Sequence, residues 1–160
     1  MAQVISREAE LKGNLVGILV KQVTWPANRV PTTAIPLTIG IIGNDPFVDN
    51  GGTNYLKKRL QGTGAVVLNF PDETAYQDCH VLVVSKAANF QKALEKTTGS
   101  PVLVVSESPG LAGKGAAMNL VFDMAKNQIR LEINPGTARD SKLEINPHFL
   151  RSELVQIVNK

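Results

Sequence analysis

The sequence predicts an α/β fold: a three-layer sandwich with a mostly parallel central sheet, an antiparallel C-terminal hairpin and helices on both faces. Three observations support this prediction. Four apolar runs lack polar alternation, helix-like segments lie between these runs, and the last third of the chain alternates apolar and polar residues. With 160 residues, of which 43% are apolar, the chain is expected to form a single domain over residues 1–160.

The first element is predicted to be a helix over residues 7–25. Its apolar face is formed by residues that recur every four positions: Leu11, Leu15, Leu19 and Val23. Gly13 and Gly17 each lower helix propensity by about 1 kcal/mol relative to alanine, so we expect this helix to approach a neighbouring element closely. Pro26 restricts the backbone of Trp25 and is expected to end the helix.

Four apolar runs are predicted to be parallel strands that are buried on both faces: residues 37–43, 65–70, 80–85 and 101–108. Two helix-like segments alternate with them, at residues 45–61 and 88–98. The glycine pair at residues 51–52 is expected to interrupt the first segment. Phe90 and Leu94 lie one helical turn apart in the second segment and support a helix there.

The last third of the chain predicts an antiparallel pair and a final helix. Residues 116–134 alternate apolar and polar side chains on both sides of a turn at residues 125–128, which is typical of a β-hairpin. This hairpin is expected at an edge of the sheet. Residues 147–160 are predicted to form a helix that packs on the sheet through four apolar side chains: Phe149, Leu150, Leu154 and Ile157.

The pentapeptide Leu-Glu-Ile-Asn-Pro occurs twice, at residues 131–135 and 143–147. A structural repeat needs about 20 to 50 residues per unit and about three units, so these two copies do not predict one. We expect the first copy to continue the hairpin strand and the second to be a short extended stretch outside the centre of the sheet. Both copies end in an N-cap residue followed by proline, a device found in four pairs: Asp45-Pro46, Ser108-Pro109, Asn134-Pro135 and Asn146-Pro147.

Composition argues against several classes of protein. The net charge is +3, and the basic run at residues 57–59 has no interleaved aromatic residues, so no nucleic-acid binding is expected. One cysteine and two histidines lack the spacing of metal ligands, so we expect no metal and no cofactor, with Cys79 in a buried strand. The apolar run at residues 13–20 is shorter than the roughly 20 residues of a membrane span, so no membrane insertion is expected. The acidic residues before this run differ from the basic start of a signal peptide, so no targeting segment is expected in this sequence.

The carboxyl ends of the parallel strands are the predicted binding region, because ligands of open α/β sheets bind there. These ends offer hydroxyls, carboxylates and helix N-termini, which suit a small polar or anionic ligand. The candidate ligand-binding or partner-binding residues are Trp25, Asp45, Phe47, Ser85, Ser108 and Asn119. Structural roles remain open for some of them: Asp45 as an N-cap residue, residues 106–110 as a turn, and Trp25 as an apolar plug at the helix end.

No catalytic residues are predicted, and the chain is not expected to be an enzyme. Residues 110–117 differ from a phosphate loop, because the glycine spacing is too short and glycine follows the lysine. Neither histidine stands in a pattern that activates a nucleophile. Asp45 and Glu107 would form an acid–base pair only if two strand ends brought them together.

Several segments, taken in order, form a pattern: TWP at residues 24–26, IGIIGNDPF at 39–47, CHVLVVS at 79–85, PVLVVSESPG at 101–110, GAAMNLVFD at 115–123, IRLEIN at 129–134 and LEINPHFLR at 143–151. In their order and spacing these segments resemble the YfiR/HmsC-like family of bacterial periplasmic proteins over nearly the full chain. The chain departs from the family pattern in two places. Residues 60–70 are a short version of a longer glycine-containing segment, and Cys79 stands alone where members commonly carry cysteine pairs.

The resemblance implies a mixed sheet with helices on both faces and a non-enzymatic regulator that is located in the periplasm. The best-known members bind the periplasmic sensor domain of an inner-membrane diguanylate cyclase and restrain it, which controls cyclic-di-GMP signalling and biofilm formation. By resemblance, the expected partner is such a membrane-bound diguanylate cyclase or a similar sensor protein.

Two further hypotheses stay open at the level of sequence. One is a small-molecule-binding sensory domain that uses the strand-end loops. The other is a homodimer, for which the glycines of the first helix offer one close-packing face, although the same face would equally suit packing within the chain. An enzyme is supported only by the α/β scaffold, which hosts many chemistries and indicates none of them.

Overall fold

The computed structural model describes residues 2–86, 88–108 and 110–158. The helices in these ranges are α1 (Ala2–Leu19), α2 (Tyr55–Arg59), α3 (Phe90–Thr97), α4 (Pro135–Asp140) and α5 (Pro147–Leu150). The strands are β1 (Val23–Thr24), β2 (Thr38–Ile42), β3 (Val66–Phe70), β4 (Val81–Val84), β5 (Leu103–Ser106), β6 (Met118–Asp123), β7 (Gln128–Ile133), β8 (Glu144–Ile145) and β9 (Val155–Ile157).

Seven strands form the central sheet, in the order β3-β2-β4-β5-β6-β7-β9. Each neighbouring pair from β3 to β6 is parallel, β6 and β7 form the antiparallel hairpin, and β9 lies parallel to β7. Strands β1 and β8 form a separate antiparallel pair. The predicted α/β fold with a mostly parallel sheet is confirmed.

The central strands bury side chains on both of their faces. In β4, Val81 and Val83 belong to one hydrophobic core, and Leu82 and Val84 belong to the other. The first core lies under α1 and α2, and the second lies under α3, which contributes Ala93. Because successive strand residues point to opposite faces, these continuous apolar runs require a layer on each side of the sheet.

The two glycines of α1 lie against α2. A Cβ on Gly13 would be 2.8 Å from the backbone nitrogen of Leu56, and a Cβ on Gly17 would be 2.3 Å from Cγ of Arg59. The predicted close approach is therefore confirmed, and its partner is a helix of the same chain. This glycine face is consequently covered and does not offer the predicted contact surface for a second copy.

The end of α1 differs from the prediction that Pro26 ends it. The helix stops at Leu19, a 3-10 turn covers Val20–Gln22, and β1 follows at Val23–Thr24. Pairing of Val23 with Ile145 in β8 holds this segment extended, so a long-range contact replaces the last helical turn. The second predicted helix is also shorter, because residues 48–54 form a loop closed by the antiparallel bridge between Val48 and Asn54, and only α2 is helical.

The predicted terminal helix is wrong. Only α5 is helical, and residues 155–157 form β9, which supplies a neighbour for β7. The hairpin therefore does not lie at the edge of the sheet. Phe149 and Leu150 pack against the core as predicted, whereas Leu154 and Ile157 are each 44% exposed.

The other edge is β3, where Val66 is 38% exposed, so the prediction of burial on both faces does not hold for this strand.

The two Leu-Glu-Ile-Asn-Pro copies have different environments, as predicted. The first ends β7 and the second contributes β8 to the two-stranded sheet. Asn134 and Asn146 both cap short helices through their side chains. No helix starts at Asp45-Pro46. This pair instead begins a turn in which the Asp45 side chain accepts from the Phe47 N–H. The prediction for residues 108–109 lies partly outside the described residues.

Candidate functional site

An open cleft of about 270 Å³ lies at the carboxyl ends of β2, β4 and β5. Its wall is formed by the loop after β2, by residues that follow β4 and β5, and by Glu8 and Ala9 of α1. The lining residues are Glu8, Ala9, Asn44, Asp45, Pro46, Val48, Ser85, Lys86 and Glu107. The cleft therefore occupies the edge of the sheet where the sequence predicted a binding region.

A buried lysine anchors one side of this cleft. Lys12 of α1 is 1% exposed, and its Nζ lies 2.5 Å from Oε2 of Glu8 and 2.5 Å from Oε1 of Glu107. The second oxygen of Glu107 accepts the backbone N–H of Lys86 at 3.0 Å. A buried ammonium is stable only when carboxylates compensate its charge, so Lys12 fixes α1 to the ends of β4 and β5.

Glu8 connects this buried pair to the open part of the cleft. Its Oε2 also lies 3.5 Å from Nζ of Lys86, a side chain that is 59% exposed. Burial raises the pKa of Glu8, but the hydrogen bond and charge of Lys12 and the charge of Lys86 outweigh it and hold this pKa below its usual value. Glu8 is therefore a carboxylate at neutral pH.

Asp45 is held in place by hydrogen bonds at both carboxylate oxygens. Its Oδ1 accepts the Phe47 N–H at 2.9 Å, and its Oδ2 accepts from the Asn69 side chain at 3.2 Å and from the Asn54 side chain at 3.5 Å. The fold thus brings Asp45 and Glu107 to one cleft, as the acid–base hypothesis required. Both carboxylates, however, are used to hold loops.

Ser85 differs from Asp45 and Glu107 because its side chain holds none of the described loops through a hydrogen bond. The residue is 4% exposed and lines the cleft, and its Oγ has no hydrogen-bond partner among the described residues. Its backbone N–H donates to the Ile42 carbonyl at 3.1 Å, which continues the β2–β4 ladder and fixes the position of the side chain.

The other predicted site residues do not line the cleft. Phe47 and Asn119 are 0% exposed, and Trp25 is 4% exposed within the core, in accordance with its alternative role as a plug. Asn119 accepts from the Ser106 hydroxyl and donates to Glu132, so it links β5, β6 and β7. The carbonyl of Ser108 accepts the Leu111 N–H at 3.4 Å in a turn.

A second polar network lies at the opposite end of β4. The Trp25 indole donates to the His80 carbonyl at 3.3 Å, and the two rings pack edge to face. Arg29 contacts both carboxylate oxygens of Asp78 and donates to the Cys79 carbonyl at 2.7 Å. Burial raises the pKa of Cys79 to about 11, so its thiol is not a ready nucleophile.

Sequence reasoning missed Lys12 and Glu8. A Glu–Lys pair with this spacing is common on exposed helix faces, so the sequence gives no sign that the lysine is buried. Within residues 2–86, 88–108 and 110–158, no group of three or more His, Cys, Asp or Glu side chains is arranged to hold a metal ion. No helix in these ranges is long and apolar enough to cross a membrane.

Comparison with known proteins gives a family match and several similar solved structures. A protein-family model described as YfiR/HmsC-like matches residues 9–152. The chain is similar to a conserved domain protein from Vibrio cholerae O1 biovar El Tor, with a TM-score of 0.57 and 16% identity over 95% of this chain and 60% of that chain. It is also similar to an ABC domain in complex with L-Trp from Streptococcus pneumoniae, with a TM-score of 0.59 and 12% identity over 94% of this chain and 62% of that one.

These structural similarities extend to the fold alone. The chain spans about three fifths of the length of both solved chains. No curated protein sequence matches it significantly.

Proposed function

The chain belongs to the YfiR/HmsC-like family, and we propose that it binds and restrains the periplasmic sensor domain of an inner-membrane diguanylate cyclase. The family consists of periplasmic regulators rather than enzymes, and its match over residues 9–152 is the observation that carries this proposal. In this role the protein is itself periplasmic, non-enzymatic and a repressor of cyclic-di-GMP signalling and biofilm formation.

The open edge at β9 is the surface that we propose for partner binding. Ile157 lies in this short strand and Leu154 directly precedes it; both side chains are exposed, and each lines a different groove. A groove of about 410 Å³ lies beside it. Its lining combines charged and polar residues with four apolar ones: Leu11, Val121, Ile129 and Leu154. An unpaired strand edge flanked by exposed apolar side chains suits the addition of a partner segment.

A binding experiment tests the regulatory function directly. The chain and the purified periplasmic domain of a membrane-bound diguanylate cyclase from the same organism should form a complex with a dissociation constant of about 1 μM or lower, measured by calorimetry. Light scattering determines whether the free protein is a homodimer and gives the stoichiometry of the complex. The absence of binding at micromolar concentrations would contradict the proposal.

A second candidate function is a sensory domain for a small molecule. It is supported by Ser85, which lines the strand-end cleft with Asp45 and whose buried hydroxyl has no hydrogen-bond partner among the described residues. A thermal-shift screen of small polar metabolites, including L-Trp, tests this function. A ligand at 100 times its dissociation constant should stabilise the fold by about 2.7 kcal/mol. A flat response to every compound would exclude this candidate.

A further inference from the structure

Ser85 indicates that the cleft is built to receive a hydrogen-bonding group. Its Oγ is buried and has no hydrogen-bond partner in the part of the chain that the structure describes, and the residue as a whole is 4% exposed. A Cβ built on Gly43 would lie 2.3 Å from this oxygen, so the glycine leaves room for the hydroxyl over the backbone. A buried hydroxyl without a partner destabilises the folded protein. A ligand atom that hydrogen-bonds to Ser85 removes this penalty.

The charged groups around the hydroxyl define the charge of the ligand. Three carboxylates, those of Glu8, Asp45 and Glu107, stand against the ammonium groups of Lys12 and Lys86, which leaves a net negative charge. Lys12 is buried, and its ammonium group is paired with the carboxylates of Glu8 and Glu107. An anionic ligand would approach the carboxylates of Glu8 and Asp45, whereas a cation is attracted to them.

Building on the sensory candidate function, we propose that the cleft binds small organic compounds with a primary ammonium group, which donates to Ser85 Oγ and to the Glu8 carboxylate. An ammonium has three donors and no acceptor, which matches a hydroxyl oxygen and a carboxylate. The hydrocarbon part of the ligand lies along Ala9, Pro46 and Val48, which also line the cleft.

Lys86 distinguishes this class from an anionic ligand. Its Nζ lies 3.5 Å from Oε2 of Glu8, and its side chain is 59% exposed, so it competes with a bound ammonium for the same carboxylate. The substitution Lys86→Gln removes both the competitor and a positive charge, and therefore strengthens amine binding. For an anion the same substitution removes an attractive charge and weakens binding.

NMR titration with n-butylammonium, butan-1-ol and butanoate tests the charge class, because these probes share one carbon chain and differ in their head group. The amide signals of Ser85 and Lys86 should shift with n-butylammonium and not with butanoate. Lys86→Gln should bind n-butylammonium about two- to fivefold more tightly than the wild type, the range of a partly exposed ion pair. Ser85→Ala should bind it about tenfold more weakly.

Ser108→Ala is the matched control, because Ser108 follows the neighbouring strand without lining the cleft. This variant should bind n-butylammonium with the same affinity as the wild type. Ser85→Ala should remain folded, since alanine removes an unsatisfied hydroxyl. Preference for butanoate, or weaker amine binding by Lys86→Gln, overturns the ammonium class. If another metabolite shifts these amides and n-butylammonium does not, the sensory function stands and the ammonium class is wrong. If no compound shifts these amide signals, both the sensory function and the ammonium class are wrong.

Discussion

His80 joins two parts of the chain through one fixed tautomer. Its Nδ1 accepts the Thr38 N–H at 3.0 Å, so Nε2 carries the proton and donates to the Arg29 carbonyl at 2.9 Å. Burial lowers the pKa of His80 below its ordinary value, and the nearby Arg29 charge acts in the same direction. The neutral ring is the form that the folded chain requires, because a proton on Nδ1 would oppose the Thr38 N–H.

The free energy of unfolding should consequently decrease when the pH falls. The unfolded chain has a histidine pKa of about 6.5 and the folded chain a lower one, so between these values the unfolded state binds more protons. The stability contributed by neutral His80 is present above pH of about 6.5 and is lost as the pH falls toward the folded pKa. Urea unfolding at a series of pH values from neutral to mildly acidic measures this change.

His80→Gln should lose this pH dependence, since glutamine does not titrate. His148→Gln is the matched control, because His148 is exposed, and it should keep the pH dependence of the wild type. Equal pH dependence in His80→Gln and the wild type would show that another group is responsible.

Lys12 illustrates a residue whose role depends entirely on its surroundings. On an exposed helix the Glu8–Lys12 pair would contribute about 0.3–0.5 kcal/mol. Here the lysine is 1% exposed and also contacts Glu107, which lies in a different layer of the fold. Removing one partner of such a buried pair leaves an uncompensated charge, so these residues act together.

At the level of elements, the contact between α1 and α2 depends on small residues. Gly13 lies against the α2 backbone at Leu56 and against the Tyr55 Cβ, neither of which is free to move. Gly17 lies against Arg59, whose long side chain is exposed and can change its rotamer. The two glycines are therefore not equivalent, although they occupy the same helix.

Gly13→Ala should destabilise the protein by about 1–3 kcal/mol, because the added methyl group overpacks a rigid contact. Gly17→Ala should destabilise the protein less than Gly13→Ala, because a rotamer change moves Cγ of Arg59 away and alanine gains up to about 1 kcal/mol of helix propensity, although the contact with Cβ of Arg59 at 3.3 Å stays tight. Urea unfolding of both variants gives the comparison. Equal destabilisation by the two substitutions would contradict the difference between a rigid contact at Gly13 and a more adaptable contact at Gly17.

The two Leu-Glu-Ile-Asn-Pro copies show how one local signal serves two environments. Asn134 is 2% exposed, caps α4 and also donates to the Ala112 carbonyl at 2.9 Å. Asn146 is exposed, caps α5 and donates to the Gln22 side chain at 3.1 Å. The cap is a local property that the sequence predicts, whereas the second contact of each asparagine joins elements that are distant in sequence.

At the scale of the whole molecule, the two edges of the central sheet differ in what surrounds them. At one edge, Ile157 in β9 and Leu154 directly before it are exposed beside a groove, whereas β3 at the other edge exposes Val66. Leu154→Asp should therefore weaken binding of the cyclase periplasmic domain about tenfold or more, as expected for a central apolar contact. Calorimetric titration of the purified variant measures the dissociation constant.

Val66→Asp is the control for this prediction, because it introduces the same charge at a similarly exposed position on the opposite edge. We expect it to bind the partner like the wild type. A larger loss of binding in Val66→Asp than in Leu154→Asp would move the proposed interface to β3.

Much of the fold could be predicted from local patterns. The four parallel strands and the hairpin follow from runs of apolar residues and from period-two alternation, and both patterns are visible within a few residues. The terminal helix was wrong because the apolar residues at 149, 150, 154 and 157 also fit a helical spacing. Val155 and Ile157 are extended because their segment pairs with β7, and the residues of the segment alone do not indicate this pairing.

Two of the six candidate residues line the strand-end cleft, and their role in binding stays a prediction. Asp45 and Ser85 line the cleft, because residues that directly follow adjacent parallel strands must meet at one edge of the sheet. Trp25, Phe47 and Asn119 are buried instead, since large or strand-centred side chains near strand ends can point into the core. Glu8 and Lys86 enter the site through ionic contacts that cross between layers.

The sequence by itself determined the strand and hairpin pattern, the asparagine caps and the resemblance to the YfiR/HmsC-like family, because each depends on residues that are close together or on their order. Only the tertiary structure decided that β1 pairs with β8, that β9 forms the edge, and that Lys12 is buried between Glu8 and Glu107. These features depend on pairings between distant segments, and burial changes the energy of a charge or hydroxyl far more than its identity does.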